Sequence, residues 1–293
     1  MSVALTAARR PRWSEKLAYL AYQIRRSPLT MAGLAITFIV LLCMIFAPWL
    51  ASHDPNALNL AERLAPPSAE HWFGTDEVGR DLFSRVLFGS QQSVGVGLFV
   101  AFASCFIGGL LGCFSGVIGG RFDALIMRLM DIMLSVPSLV LIMALAAALG
   151  ASLFNAMLAI TLVRIPSYVR LARGQALSIR QMGYVKAAQT FGAGRWHMVH
   201  WHVARNAMPP LLVQLSLDIG SSILMASALG FIGLGAQQPT AEWGAMVATG
   251  RNYILDNWWY STFPGLAILI TATGFNLLGD GVRDLLDPRQ QGK

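Results

Sequence analysis

The sequence predicts an all-α integral membrane protein with six transmembrane helices and both termini in the cytoplasm. Three observations support this class: the composition, the apolar stretches, and the distribution of lysine and arginine. The 293 residues are 55% hydrophobic and 13% charged, with a mean hydropathy of +0.54. Because a soluble domain carries about 25% charged residues, this composition excludes a soluble enzyme, a nucleic-acid-binding domain and a disordered chain.

Apolar stretches of about 20 residues, the length that crosses a bilayer as a helix, occur six times. The second stretch is dense in glycine and alanine, which predicts close helix–helix contact in a packed bundle. Prolines lie in or at the ends of several stretches, where neighbouring helices can satisfy the freed carbonyl groups. The predicted spans are Leu29–Leu50, Val94–Val117, Ala124–Leu149, Leu153–Leu177, Pro209–Leu234 and Thr262–Leu278.

Lysine and arginine predict which connections face the cytoplasm. Six basic residues precede the first span, and seven lie between Arg164 and Leu217 without an acidic residue among them. The connection 51–92 has the opposite balance, with six acidic residues and three arginines. Both termini and the connection 178–208 are therefore expected inside. The basic residues of the cytoplasmic connections account for the positive net charge of +7, so this charge is not evidence for a nucleic-acid partner.

The spans and connections divide the chain into five predicted segments. The first carries an amphipathic stripe that would lie on the inner membrane surface. The segments are 1–28 (cytoplasmic), 29–50 (first span), 51–92 (extracytoplasmic), 93–280 (the core, which contains the cytoplasmic loop 178–208 and the extracytoplasmic loop 235–261), and 281–293 (cytoplasmic tail).

Within the connection 51–92, the sequence predicts that a helix starts at Thr75. The Thr75 hydroxyl can cap it, and Asp76 would lie favourably in its first turn. One turn further, Asp81 would reach Arg85 at the i,i+4 spacing.

The loop 178–208 contains Tyr184-Val-Lys-Ala-Ala-Gln-Thr-Phe-Gly192-Ala-Gly, and the sequence continues to Asn206-Ala-Met-Pro-Pro210 at the start of the next predicted span. This stretch resembles the EAA loop of ABC importer permeases. Lys186 replaces the glutamate of that pattern, and Arg205 stands where a proline is common. The two alanines give a helix a flat face that fits a groove, and Gly192 allows a sharp turn into the next helix.

Five further segments strengthen the resemblance and extend it over nearly the whole chain. With these segments, the chain is similar to the second permease subunit of the dipeptide, oligopeptide and nickel importers. The resemblance implies the type I ABC importer permease fold. The chain is most like the members that import D,D-dipeptides such as D-alanyl-D-alanine. The segments are His71–Arg85, Met130–Pro137, Leu229–Gly235, Pro239–Met246 and Asn276–Pro288.

The resemblance implies an assembly in the bacterial inner membrane. A related permease subunit would pair with this chain, two cytoplasmic ATPases would dock on the two EAA loops, and an external binding protein would deliver the substrate. The chain has no GxxxxGK[ST] phosphate loop, so ATP and magnesium would be bound by the partners. We expect no catalytic residue and no cofactor in this chain. The alternative for the loop is an ordinary cytoplasmic helix pair. The expected coupling residues are Tyr184, Lys186, Ala187, Ala188, Gly192, Ala193 and Gly194.

Three charged residues inside the predicted spans are candidates for the substrate pathway, because charges at membrane depth are rare and costly. Arg164 and Asp218 would bind the carboxylate and the ammonium group of a zwitterionic dipeptide. Asp131 is the third candidate. The alternative is that Arg164 and Asp218 form a salt bridge with each other or with the partner permease, and that Asp131 is structural.

The sequence leaves other functions and cargoes as alternatives. A membrane-embedded enzyme would need an HExxH helix, a GxSxG turn or paired carboxylates, which the spans lack. A stand-alone channel or secondary transporter is the remaining alternative, although the halves show no convincing repeat. The cargo could instead be nickel or another small peptide such as glutathione, but the spans contain no histidine. His197, His200 and His202 lack a nearby carboxylate, so no metal site is expected.

Overall fold

The structure, a computed structural model, describes residues 27–286. The predicted amphipathic stripe and the end of the predicted tail lie outside this range. Apart from an isolated bridge between Thr75 and Asp81, the described residues form helices and irregular connections. The helices of more than one turn are α1 (Pro28–Leu50), α2 (Leu82–Ile118), α3 (Gly120–Leu134), α4 (Ser138–Leu149), α5 (Leu153–Arg180), α6 (Gly183–Thr190), α7 (Arg195–Ile232, with a π-helical stretch Met198–Ala204), α8 (Trp243–Gly250) and α9 (Trp259–Leu286).

Four helices, α1, α2, α7 and α9, are long and apolar enough to cross a membrane, and the bent pair α3–α4 is a fifth candidate. This confirms the all-helical membrane class. Helix α5 has the length of a span, with 28 residues, but its arginines lower its apolar character. Length and composition therefore support four to five crossings among the described residues, and six crossings stay a prediction.

The predicted third span, Ala124–Leu149, is wrong as a single helix. Helix α3 ends at Leu134, α4 begins at Ser138, and the two axes differ by 92°. Pro137 explains the break, because proline has no N–H to donate and disfavours helical geometry in the residue before it.

The predicted helix start at Thr75 is also wrong. Helix α2 begins at Leu82, inside the predicted connection 51–92, and Asp81 is its N-cap, accepting a hydrogen bond from the Ser84 N–H at 2.8 Å. Residues 75–81 instead form a tight turn. Gly79 adopts φ +77°, which side-chain-bearing residues rarely do, and this ends any helical path from Thr75. At the other end of the chain, α9 continues to Leu286, past the predicted tail boundary at 281.

Helices α2 and α5 run parallel and pack through a stripe of glycines. A Cβ atom on Gly108 would lie 2.6 Å from Tyr168 Cβ, and one on Gly116 would lie 2.6 Å from Ala176 Cβ. Gly112, one turn from each, faces the backbone of Val169. Glycine at four-residue spacing therefore lets the two backbones touch, as the small residues of this span predict.

The parallel packing places the two long connections at opposite ends of the bundle. The connection 51–81 leads into the first residue of α2, whereas the loop 178–208 follows the end of α5. Helix α2 has 37 residues, which makes it about 55 Å long at the rise of an α-helix. It therefore exceeds the roughly 30 Å of a hydrocarbon core and reaches both connections.

Candidate functional site: the 178–208 loop and the charged residues

Helix α6 holds most of the expected coupling residues and packs through one face. Val185 is fully buried in a cluster with Met198 and Val203 of α7 and with Ala176 of α5, and Ala188 packs partly against the same cluster. The opposite face of α6 is exposed. Its side chains are Tyr184, Lys186, Ala187, Gln189 and Thr190.

The chain turns sharply after α6. The Gly192 N–H donates to the Gln189 carbonyl and the Ala193 N–H donates to the Ala188 carbonyl, each at 3.0 Å. Gly192 has φ +84°, a left-handed conformation that closes helices and favours glycine. The next helix then begins at Arg195, so α6 and α7 meet at a defined corner.

Exposed aromatic side chains flank this corner. Phe191 is 90% exposed and Trp196 is 72% exposed, and Trp201 of the π-helical stretch is also exposed. Contiguous exposed apolar surface marks interaction sites. These aromatic residues are not among the predicted coupling residues, although aromatic side chains in a basic, polar loop are a signal that the sequence offers.

The structure brings Arg164 of α5 and Asp218 of α7 together. Arg164 Nη1 lies 3.3 Å from Asp218 Oδ1, and Arg164 Nη2 donates to the Ser221 hydroxyl at 2.8 Å. Gln214 also donates to Asp218 Oδ1, at 3.2 Å. The second oxygen of Asp218 and the buried Tyr168 hydroxyl have no hydrogen-bond partner among the described residues. This site combines an ion pair with unused hydrogen-bonding capacity.

Asp131 is not part of that site. It pairs with Arg170 of α5 at 2.7 Å, and both side chains are more than half exposed. One turn along α5, Arg173 donates two bonds to Asp123 of α3, at 2.6 and 2.7 Å. The ion pairs tie α3 to α5, which agrees with the structural alternative for Asp131. From the sequence, Arg170 and Arg173 indicate only the orientation of the chain in the membrane.

At the other end of the bundle, the 75–85 motif forms a buried polar network. Asp76 Oδ1 accepts the N–H groups of Val78 and Arg80 at 3.0 and 2.9 Å, and its second oxygen lies 2.5 Å from Arg80 Nε. Arg80 also donates to Gln238 at 3.1 Å, and Gln238 donates to Glu77 at 3.3 Å. The network therefore joins two connections that are distant in the sequence.

Glu242 extends this junction into the bundle. Its carboxylate caps α8 by accepting the N–H groups of Gly244 and Ala245 at 2.8 Å, and it accepts the Ser93 hydroxyl of α2 at 3.1 Å. Burial raises the pKa of Glu242 above its ordinary value, against the effect of these three donors. The 235–242 connection is thus fastened to α2 as well as to the 75–85 motif.

Comparison with known proteins agrees with this architecture. Residues 108–292 match the model of the binding-protein-dependent transport system inner membrane component family. Residues 18–67 match the N-terminal transmembrane domain of oligopeptide transport permease C.

Relatives match over almost the entire chain. A probable D,D-dipeptide transport system permease protein of Escherichia coli (strain K12) is 69% identical over 290 residues, which cover 98% of this chain and 97% of that protein. A dipeptide transport system permease protein of Alkalihalophilus pseudofirmus is 42% identical, covering 92% and 88% of the two chains. A di/tripeptide transport system permease protein of Pseudomonas aeruginosa is 44% identical, covering 88% of each. The chain thus belongs to the binding-protein-dependent transport system inner membrane components, and within them to the ABC importer permeases of the peptide type.

Proposed function

We propose that this chain is the permease subunit of an ATP-driven importer that moves dipeptides, and D,D-dipeptides in particular, across a bacterial inner membrane into the cytoplasm. The observation that carries the proposal is the 69% identity over 98% of the chain to the D,D-dipeptide permease relative. In this proposal α1, α2, α3–α4, α5, α7 and α9 form six crossings, with both termini and the 178–208 loop in the cytoplasm.

The proposed assembly contains a second, related permease, two ATPases and an external binding protein. Helix α2 presents a row of exposed phenylalanines, Phe99, Phe102 and Phe106, at helical spacing. This row is an apolar surface suited to lipid or to a second permease. ATP and magnesium would be bound by the ATPases, because this chain lacks a phosphate loop. The permease would convert their closure into alternating access.

Helix α6 and the corner at Gly192 are the proposed ATPase docking site. One face of α6 is anchored in the core through Val185, while Lys186, Ala187 and Phe191 are free to contact a partner. A docked element that moves α6 would also move α7, because Val185 packs against the start of that helix. The anchored corner is therefore suited to transmit a displacement into the bundle.

Replacing Phe191 by aspartate is expected to prevent ATPase docking. Removing a central aromatic contact and burying a charge there would cost about 2 kcal/mol or more, which weakens docking roughly 30-fold. The measurement is co-purification of the ATPases with tagged chain from native membranes, together with ATP-driven peptide uptake. Leu255→Asp is the matched control, because Leu255 is 95% exposed but lies near the other end of the bundle. Equal ATPase recovery with both variants would contradict the docking site.

The Arg164–Asp218 pair is the proposed contact with peptide. Arg164 is partly accessible, whereas Asp218 Oδ2 and the Tyr168 hydroxyl are buried without partners among the described residues. An ammonium group of a passing peptide would supply the missing donor, and the guanidinium would meet its carboxylate. Asp131, paired with Arg170 on an exposed surface, would act on the pathway only by holding α3 against α5.

The function is tested by reconstitution. The tagged chain is purified in mild detergent with its bound partners, placed in liposomes with the external binding protein, and supplied with ATP on the ATPase side. We expect uptake of labelled D-alanyl-D-alanine that stops when ATP is omitted. Uptake of nickel instead would overturn the peptide cargo, and uptake by the purified chain alone would favour a channel.

A further inference from the structure

Two histidines and an aspartate that are distant in the sequence meet within the connection 51–81. His53 follows α1, His71 lies in the loop, and Asp81 caps α2. Each offers one ligand atom, and the three atoms lie within 4.8 Å of one another. His71 Nδ1 is 2.9 Å from Asp81 Oδ1, and His53 Nδ1 is 3.9 Å from Asp81 Oδ2.

The ligand atoms lie close to the spacing that a metal ion requires, and the widest pair, which lies within 4.8 Å, would have to move closer together. Zinc bonds of about 2.0 Å in tetrahedral geometry separate the ligand atoms by roughly 3.3 Å, which lies between the two distances. A bound ion would take the place of the hydrogen bond between His71 and Asp81, and it would draw His53 inward by a small movement. His53 has room for this, because its side chain is 37% exposed whereas the other two are buried.

A carboxylate already orients the central histidine. The second ring nitrogen of His71 lies 3.2 Å from Glu62 Oε2. A histidine that ligates a metal characteristically donates its other N–H to a carboxylate, which fixes the ring and raises its basicity. Glu62 therefore leaves Nδ1 of His71 as the nitrogen that faces Asp81 and His53.

The surrounding charge favours a cation. The three ligands line a cavity of about 220 Å³ together with Asp54, Glu62 and Glu70, and the described residues that line it include no lysine or arginine. Four carboxylates thus face a space that also contains two imidazoles. Water or a further ligand can occupy the remaining coordination positions.

We propose that His53, His71 and Asp81 form a binding site for a divalent transition metal ion, with zinc as the test ion and Glu62 as the residue that positions His71. Two imidazoles and a carboxylate suit zinc and similar late transition metals better than magnesium or calcium, which prefer oxygen ligands. The ion would join the end of α1, the 60–71 stretch and the first turn of α2. This site is independent of the proposed peptide pathway.

The test is zinc binding to the full chain, purified in detergent through a tag without histidine and titrated in competition with a chromogenic chelator. We expect one zinc ion per chain and a zinc-dependent rise in the unfolding temperature. His53→Ala should weaken binding at least about tenfold and abolish the temperature rise, and it leaves the buried His71–Asp81 contact in place.

His200→Ala is the matched control, because it removes an exposed histidine from the other end of the bundle. This variant should bind zinc as the wild type does. Glu62→Gln should give an intermediate affinity, since the amide orients His71 less strongly. The absence of stoichiometric zinc binding to the wild type would overturn the proposal. An equal loss of affinity in His53→Ala and His200→Ala would overturn it too, because it indicates unspecific binding to surface histidines.

Discussion

Substituting Gly112 by leucine is expected to prevent the chain from accumulating as a folded protein. A Cβ atom at this position would already lie 2.7 Å from Ala172 Cβ and 2.9 Å from the Arg173 backbone nitrogen. A leucine side chain would therefore force α2 and α5 apart and open the contacts of the whole glycine stripe. The cost should be on the order of 3 kcal/mol or more, a large part of the stability of a marginally stable fold.

The measurements are the amount of chain in the membrane fraction and its unfolding temperature in detergent. Gly95→Leu is the matched control, because it lies on the same helix and a Cβ atom there meets nothing within 4 Å. Its leucine should be tolerated and should favour the helix slightly. If the two variants accumulate and unfold alike, the close contact between α2 and α5 does not contribute to stability as argued.

Replacing Asp218 by alanine is the second change with a large expected effect. It leaves the Arg164 guanidinium without its charged partner in a largely buried position, and breaking a buried pair in this way costs about 3–5 kcal/mol. We expect a lower unfolding temperature and a loss of peptide uptake. Asp131→Ala is the control, because its exposed pair with Arg170 should contribute only about 0–1 kcal/mol.

A double variant separates stability from transport. Arg164→Met with Asp218→Leu removes both charges and keeps apolar volume, so stability should return. If the pair contacts peptide, uptake should remain low despite the restored stability. Recovery of both stability and uptake would show that the pair serves only to hold α5 against α7.

Much of the fold follows from local patterns in the sequence. The first span, predicted at Leu29–Leu50, corresponds to α1, and the glycine-rich stretch corresponds to the closely packed part of α2. These features depend on continuous apolar runs and on small residues at helical spacing. Both can be recognised without knowing which helices are neighbours.

The break at Pro137 could not be predicted in the same way. Pro48, Pro166 and Pro264 remain inside their helices, whereas Pro137 separates two helices at nearly a right angle. The sequence around each proline indicates a missing hydrogen bond, but whether a helix bends or ends there depends on tertiary packing. The start of α2 could not be predicted for a related reason. The turn at Gly79, which precedes α2, is stabilised by hydrogen bonds to the side chain of Asp76.

Sites built from distant residues were the least predictable. The sequence allows an ion pair of Arg164 and Asp218 as one of two roles, because both charges lie in apolar spans. The contact of Arg80 with Gln238 joins residues 158 positions apart, and no local pattern indicates it. Likewise, the spacing of His53, His71 and Asp81 matches no short metal motif, since the fold of the connection 51–81 brings them together.

Helix α2 is long and packs closely against α5 through its glycines, so the two helices form a single rigid unit. Two parallel helices whose backbones touch over two turns resist sliding and splaying, so a rotation would move both of them together. For a rod about 55 Å long, a tilt of ~10° about one end displaces the other end by roughly 10 Å, the diameter of a helix. A small rotation beside the 178–208 loop would therefore produce a large displacement at the 75–85 motif.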